Sequence, residues 1–200
     1  MRITGGQLKG RLLASAKGAA IRPASDKVRQ AIFNIIGHDL TGSIVLDLFA
    51  GTGAYGFEAI SRGAKKVVFI DKSSESLLVL KKNISQLGLF EQCQVKQQDL
   101  VAGDSLKITE KDGYFDIIFI DPPYRLGFVV PVLNKIGCSD FLSLGGVVIA
   151  ETIKGECLPE KVGNLKLWQV RKYGSTCLWL YLKKESADDE SENCDLSRVI

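Results

Sequence analysis

A single histidine, His38, in 200 residues argues against a Ser-His-Asp triad and against zinc chemistry. Cysteine is sparse as well. Cys93, Cys138, Cys157, Cys177 and Cys194 are odd in number, widely spaced and without a C-x-x-C pair. They fit reduced thiols better than a disulfide framework, which predicts a cytoplasmic protein with no metal site. No apolar run approaches the length of a membrane span, and Met1-Arg2-Ile3-Thr4-Gly5-Gly6 lacks the hydrophobic stretch of a secretion signal. What the chain does have is 46% hydrophobic residues, enough for one substantial core.

The net charge of +3 conceals an asymmetry. Residues 185–200 hold six acids and one arginine, and without them the body has 25 basic and 17 acidic side chains. That acidic tail has too little apolar surface to offset the entropy of ordering and is expected to be disordered. Residues 1–30 carry seven basic side chains against one acid, Asp26. Clustered positive charge of this kind suits a polyanion, with an ordinary solvated surface as the competing reading.

From about residue 26, apolar strand-like runs alternate with amphipathic helical patterns. Ser25 is placed to cap a helix that carries Val28, Ile32, Ile35 and Ile36 on one face and stops at Gly37. Strands are predicted at Ile44–Phe49, Val67–Ile70, Phe115–Ile120 and Val147–Ala150, with a weaker one at Cys93–Lys96. Helices are predicted through Glu58 to Arg62, from Ser74 to Leu87, and over Val129–Ile136. Leu165–Val170 and Thr176–Leu182 read as an antiparallel pair joined through Tyr173-Gly174-Ser175. Continuous apolar strands between helices imply an α/β fold, a mostly parallel seven-stranded sheet covered on both faces and closed by that hairpin. Residues 1–24, glycine-rich and basic, form a separate hairpin or arm, leaving 25–184 as the main domain.

Two strand-end motifs carry the chemistry. Asp47-Leu48-Phe49-Ala50-Gly51-Thr52-Gly53-Ala54-Tyr55-Gly56 contains G-x-G-x-x-G between a strand and a helix. Gly51 and Gly53 suit a tight turn close to a ligand, and Gly56 suits close helix packing. Asp71 ends the next strand, where an acid can accept ribose hydroxyls. The pattern fits the pyrophosphate of NAD or the parts of S-adenosylmethionine, with a turn that holds no ligand as the competing reading. Asp47 adds negative charge near the turn and tilts the choice toward the cationic ligand. Asp99, after the third strand, could accept from an adenine amine or cap a helix.

The second motif is Asp121-Pro122-Pro123-Tyr124, at the end of Phe115–Ile120. A residue before proline is pushed toward extended backbone, and the prolines fix φ, so the bend is rigid. It presents a carboxylate, carbonyls and an aromatic ring at one point, a set able to hold a planar amine. In an open α/β sheet both motifs meet beyond the carboxyl ends of the strands.

With these residues in place, the sequence resembles class I S-adenosylmethionine-dependent methyltransferases, a Rossmann-like fold. Within them it is similar to the bacterial 16S rRNA guanine-N2-methyltransferases, the small-subunit methyltransferase D family. The closer match lies in Arg2-Ile3-Thr4-Gly5-Gly6, Lys9-Gly10-Arg11 and Arg22-Pro23-Ala24-Ser25-Asp26-Lys27-Val28-Arg29-Gln30-Ala31-Ile32-Phe33-Asn34, continued by the two motifs and Tyr173-Gly174. It covers about residues 1–183. Ala24 stands where the family usually has Thr, and Asp71 where Glu is common.

The resemblance implies S-adenosylmethionine held by Asp47, Phe49, Gly51, Thr52, Gly53, Asp71, Lys72 and Asp99. It implies catalysis by Asp121, Pro122, Pro123 and Tyr124, with Asp121 and the Pro122 carbonyl accepting the amine hydrogens and Tyr124 stacking on the base. Arg2, Lys9, Arg11, Arg22, Lys27 and Arg29 would grip RNA phosphates. The implied partner is 16S rRNA, within the small ribosomal subunit or an assembly intermediate, met by a monomer without metal or membrane. Guanine presents adjacent donors at N1 and N2, which suit the acceptor-only carboxylate of Asp121. An adenine-N6 methyltransferase, an NAD-dependent oxidoreductase and a non-catalytic RNA-binding assembly factor remain open readings of the same residues.

Overall fold

Side chains that alternate between two apolar faces set the architecture. On the strand Phe115–Ile120, Ile117 and Phe119 enter one core, while Ile118 and Ile120 enter another. The neighbouring strands divide their residues in the same way, so both faces of one sheet are buried. The structure, a computed structural model, describes residues 1–15, 23–103 and 105–184. The acidic tail and Arg22 lie outside the described residues.

The elements run α1 (Pro23–Ile36), β1 (Ile44–Leu48), α2 (Ala54–Ser61), β2 (Lys66–Asp71), α3 (Ser74–Leu87), β3 (Cys93–Gln97), β4 (Phe115–Ile120), α4 (Val129–Gly137), β5 (Leu142–Ile153), β6 (Lys161–Val162), β7 (Leu165–Tyr173) and β8 (Thr176–Lys183). They form one eight-stranded sheet in the order β3-β2-β1-β4-β5-β8-β7-β6. The first five strands pair in parallel, and β8 and β7 follow antiparallel, as the predicted closing hairpin requires. The eighth strand is β6, two residues paired to β7 at the edge, too short to leave a periodic signal. Strand order reverses between β1 and β4, which are adjacent in the sheet but far apart in the chain.

Helices α1 to α3 bury Val28, Ile32, Phe33, Phe57, Ile60, Leu77, Leu80 and Ile84 on one face. Helix α4 buries Val129, Val132, Leu133 and Ile136 on the other. Helix α3 starts at the Ser73 cap, whose hydroxyl accepts from the Ser76 N–H, and stops at left-handed Gly88. Helix α1 begins at Pro23, so Ser25 lies in its first turn and is not the cap that the sequence suggested. Proline is well suited to open a helix, because the N–H it lacks is unpaired there anyway.

The N-terminal arm stands outside the sheet but is not detached from it. Arg2 and Leu12 form an antiparallel bridge, and Ile3 and Leu13 are buried in the core of α1 to α3. The arm is held by a buried polar hub on α2. Both Glu58 carboxylate oxygens accept from Thr4, one from its N–H at 2.7 Å and one from its hydroxyl at 2.8 Å. Arg29 and Arg62 donate to the same carboxylate, which is 0% exposed. A buried charge needs such partners, and here they come from three separate segments.

Gly56 confirms the close packing expected of it. A Cβ there would lie 2.2 Å from Phe69 Cε1 and 2.8 Å from Val67 Cγ1, both in β2. Alanine in place of a mid-helix glycine ordinarily stabilises a helix by about 1 kcal/mol. Gly56→Ala is expected instead to destabilise by about 1–3 kcal/mol, through overpacking. Urea denaturation measures it, and a more stable variant would contradict the packing.

Candidate active site

The pairing of β1 with β4 brings the two motifs together. Leu48 lies opposite Ile120, so the chain leaves the sheet side by side at Phe49 and Asp121. A cleft of about 620 Å³ opens beyond these ends. Asp47, Phe49, Gly51, Thr52, Asp71 and Lys72 line one part of it, and Asp121, Pro122, Pro123 and Tyr124 another. Phe49 and Arg125 have left-handed backbone, with φ of 57° and 65°, the two non-glycine cases among the described residues. Phe49 lies within the first motif and Arg125 directly follows the second, where each turn takes the chain away from its ordinary conformation.

The glycine turn is braced by acids. Gly53, with φ of 81°, precedes α2, and a Cβ there would meet Phe57 at 2.5 Å and Leu80 at 2.6 Å. Asp47 is 2% exposed and accepts from the Gly56 N–H at 2.9 Å, inside the first turn of α2. Asp71 accepts from the Gly51 N–H and the Ser73 N–H, each at 2.8 Å. Its carboxylate therefore shapes the turn and still has lone pairs for a ligand. A pyrophosphate would need the helix N–H groups and positive end that Asp47 already engages. The arrangement suits a cationic ligand better than a dinucleotide.

The sequence missed Asn83, buried in α3. It donates to the Thr52 carbonyl at 3.0 Å and accepts from the Ala14 N–H at 2.7 Å, tying the turn to the arm. Phe128 is another addition, stacked on Phe49 with ring centroids 6.2 Å apart. Lys72 is exposed, with its ammonium 6.0 Å from the Phe128 ring centre.

On the acceptor side, Asp121 is half-buried, Pro122 buried and Pro123 exposed. The Tyr124 hydroxyl donates to Glu151 Oε1, and the Tyr55 hydroxyl donates to Glu151 Oε2 at 2.7 Å. Burial, then the bond to Glu151, pushes the Tyr124 phenol up to about 12. Glu151, Tyr55 and Thr176 line the cleft, and the sequence reading assigned none of them a role.

Two expected site residues are corrected. Asp99 does not line the cleft; it is exposed and folds back on its own loop, accepting from the Val101 and Ala102 N–H groups. Those bonds hold its carboxyl below the usual range, and Lys72 Nζ lies 3.8 Å away. Arg29 is not a phosphate grip, being 1% exposed. It donates to Asp26 at 2.8 Å, to Glu58 at 3.3 Å and to the Arg2 carbonyl at 2.7 Å. Arg2, Lys9, Arg11 and Lys27 are exposed.

Burial raises the Asp47 carboxyl to about 8; the Gly56 N–H opposes the rise and the Asp71 charge adds to it. The folded value lies above the unfolded one, so stability from this group is full below about pH 4 and is lost as pH rises toward 8. Asp47→Asn keeps an acceptor for Gly56 and cannot ionise. Its thermal midpoint should gain on wild type from pH 5 to pH 8 and then level, by calorimetry. A gap that narrows over that interval would mean a charged carboxylate in the folded protein.

Among known proteins, the family model described as Conserved hypothetical protein 95 matches residues 1–182. The ribosomal RNA small subunit methyltransferase D of Haemophilus influenzae is 34% identical over 83% of this chain and 86% of its own length. The Escherichia coli structure named yhhF superposes with a TM-score of 0.78, at 28% identity, over 92% of this chain and 98% of that one. The Thermus thermophilus 16S rRNA N2 G1207 methyltransferase, solved with AdoMet and guanosine, shares the fold at a TM-score of 0.64 and 24% identity, over 84% of this chain and 45% of that one. The sheet order and these likenesses make this a class I methyltransferase fold, and the chain belongs to the Conserved hypothetical protein 95 family, that of the small-subunit rRNA methyltransferase D proteins.

Proposed function

We propose that this protein transfers a methyl group from S-adenosylmethionine to the exocyclic N2 amine of a guanine in 16S rRNA. The observation that carries the reading is the single cleft shared by an acid-braced glycine turn and the Asp121–Tyr124 bend. The small-subunit methyltransferase named above, and the distant relative solved with AdoMet and guanosine, support the substrate class.

Asp71, Asp121 and the Phe49–Phe128 pair fit a ligand that is cationic at one end and flat and apolar at the other, with Asp47 shaping the turn beneath it. When bound, S-adenosylmethionine supplies an electrophilic methyl group. The protein's part is alignment and proton handling. Asp121 and the Pro122 carbonyl accept the two amine hydrogens, which turns the nitrogen lone pair out of conjugation with the ring. As the new N–C bond forms and the S–C bond breaks, the amine becomes cationic and Asp121 takes its excess proton. The Tyr124 face lies against the base and favours that developing charge.

The target base must leave its stack to enter the cleft, so an exposed loop nucleotide suits it. Arg2, Lys9, Arg11 and Lys27 hold phosphates outside. Lys9→Ala and Arg11→Ala should each lower the salt dependence of RNA binding by about one unit of slope. Arg29→Ala should instead lower the thermal midpoint, because it removes one of the two arginines that balance the buried Glu58 and leaves a cavity in its place. An Arg29→Ala variant with unchanged stability and a reduced salt slope would reverse that assignment.

The direct test is mass spectrometry of 16S rRNA from a strain lacking the gene. One N2-methylguanosine should be missing, restored by wild type and not by Asp121→Ala, whose rate should fall about 100-fold or more. Full activity in Asp121→Asn would refute the hydrogen-bond argument for guanine.

A further inference from the structure

We infer that Glu151 is a positioning residue that ties the glycine-turn side of the cleft to the acceptor side and so sets their mutual alignment. The inference rests on the methyltransferase reading above. Glu151 stands at the carboxyl end of β5, 8% exposed, with its two oxygens turned to different elements. Oε2 accepts from Tyr55, in the first turn of α2, at 2.7 Å. Oε1 accepts from Tyr124, the last residue of the acceptor bend. The carboxylate thus bridges the helix that follows the glycine turn and the loop that carries Asp121.

Each end of the brace is itself fixed. The Tyr55 ring is 7% exposed and stacks on Phe119 of β4, with centroids 5.0 Å apart and planes within 18°. Tyr124 gives its only hydrogen to Glu151, so at the 3.2 Å contact with Thr176 the threonine hydroxyl donates. Burial raises both phenols, Tyr55 well above its ordinary value and Tyr124 to about 12, so both remain donors throughout the working pH range. Hydrogen bonds from neutral donors to a carboxylate are among the stronger kind, and here they link groups 96 and 27 residues away in the chain.

Methyl transfer depends on the two reacting atoms being held in line, and a misplacement of about 1 Å can cost about 100-fold in rate. Glu151 acts on that alignment through the two tyrosines it holds, Tyr55 behind the glycine turn and Tyr124 against the base. It should therefore show in kcat and leave the binding of the methyl donor unchanged.

The test uses the full chain and radiolabelled methyl transfer to whichever RNA wild type methylates. Tyr55→Phe removes one hydroxyl and no packing. It should lower kcat about tenfold with the KM for S-adenosylmethionine unchanged. Glu151→Gln, which keeps one acceptor oxygen, should recover part of the rate that Glu151→Leu loses. The Tyr55→Phe, Tyr124→Phe double variant should be no slower than Tyr124→Phe alone, because the brace is already broken. Wild-type kcat in Tyr55→Phe, or a double variant slowed by the product of the two single effects, overturns the inference. Should Glu151→Leu fail to fold, the tyrosine variants still decide it. The substrate reading is judged separately, by where wild type places its methyl: a product other than N2-methylguanosine sinks that reading, while the brace is still scored on the RNA actually modified.

Discussion

Parallel pairing of β1 with β4 is the constraint on which the site depends. These strands are separated by two crossover units in the chain, yet Val45 to Leu48 lie opposite Ile117 to Ile120 without a slip. Neighbouring strands are about 4.8 Å apart, so the residues that follow them emerge as neighbours. A shift of one residue would turn Phe49 or Asp121 away from the cleft and expose an apolar strand face as well. The same alternation that buries Ile118 and Phe119 on opposite faces therefore also aims the carboxylate. Core packing and site geometry are one requirement at this point in the chain.

Most of the sheet was legible because its central strands are continuous apolar runs and its helices carry one apolar stripe. Strand β3 gave a weak signal for a physical reason. It pairs only with β2, at the edge, and its residues are mostly half-buried. Strand β6 gave none, being two residues long. The two motifs were legible because glycine permits, and proline fixes, backbone conformations that few other residues adopt. Glu151 was not, since its position depends on strand pairing that the sequence does not state. Yet it directly follows the apolar run Val147–Ala150, as Asp71 follows Val67–Ile70 and Asp121 follows Phe115–Ile120. An acid closing an apolar strand was the signal that would have found it. Arg29 was misread because its charge was weighed before its place. It lies three, four and seven residues before Ile32, Phe33 and Ile36, on the buried stripe of α1.

The cleft sorts the parts of a nucleic acid by charge. Asp47, Asp71, Asp121 and Glu151 all line it, against two cations: Arg29, already engaged by Asp26 and Glu58, and Lys72, exposed and 3.8 Å from Asp99. A phosphate brought inside would meet more carboxyl groups than cations. A base bearing an amine meets what it needs. The exposed cations Arg2, Lys9, Arg11 and Lys27 are not among the residues that line this acidic interior, so the two signs of charge are kept apart.

The Glu58 hub has a mechanical consequence for the arm. Were Thr4 to peel away, a carboxylate with no solvent exposure would lose two hydrogen bonds while keeping its cationic neighbours. Opening the arm therefore disturbs a carboxylate that α1 and α2 also depend on, so the three segments are coupled through one buried group. Arg2, Lys9 and Arg11 are thus presented on a surface already ordered before any partner arrives. Little conformational freedom is left for docking to remove, and a surface of that kind selects among partner shapes more than it adapts to them.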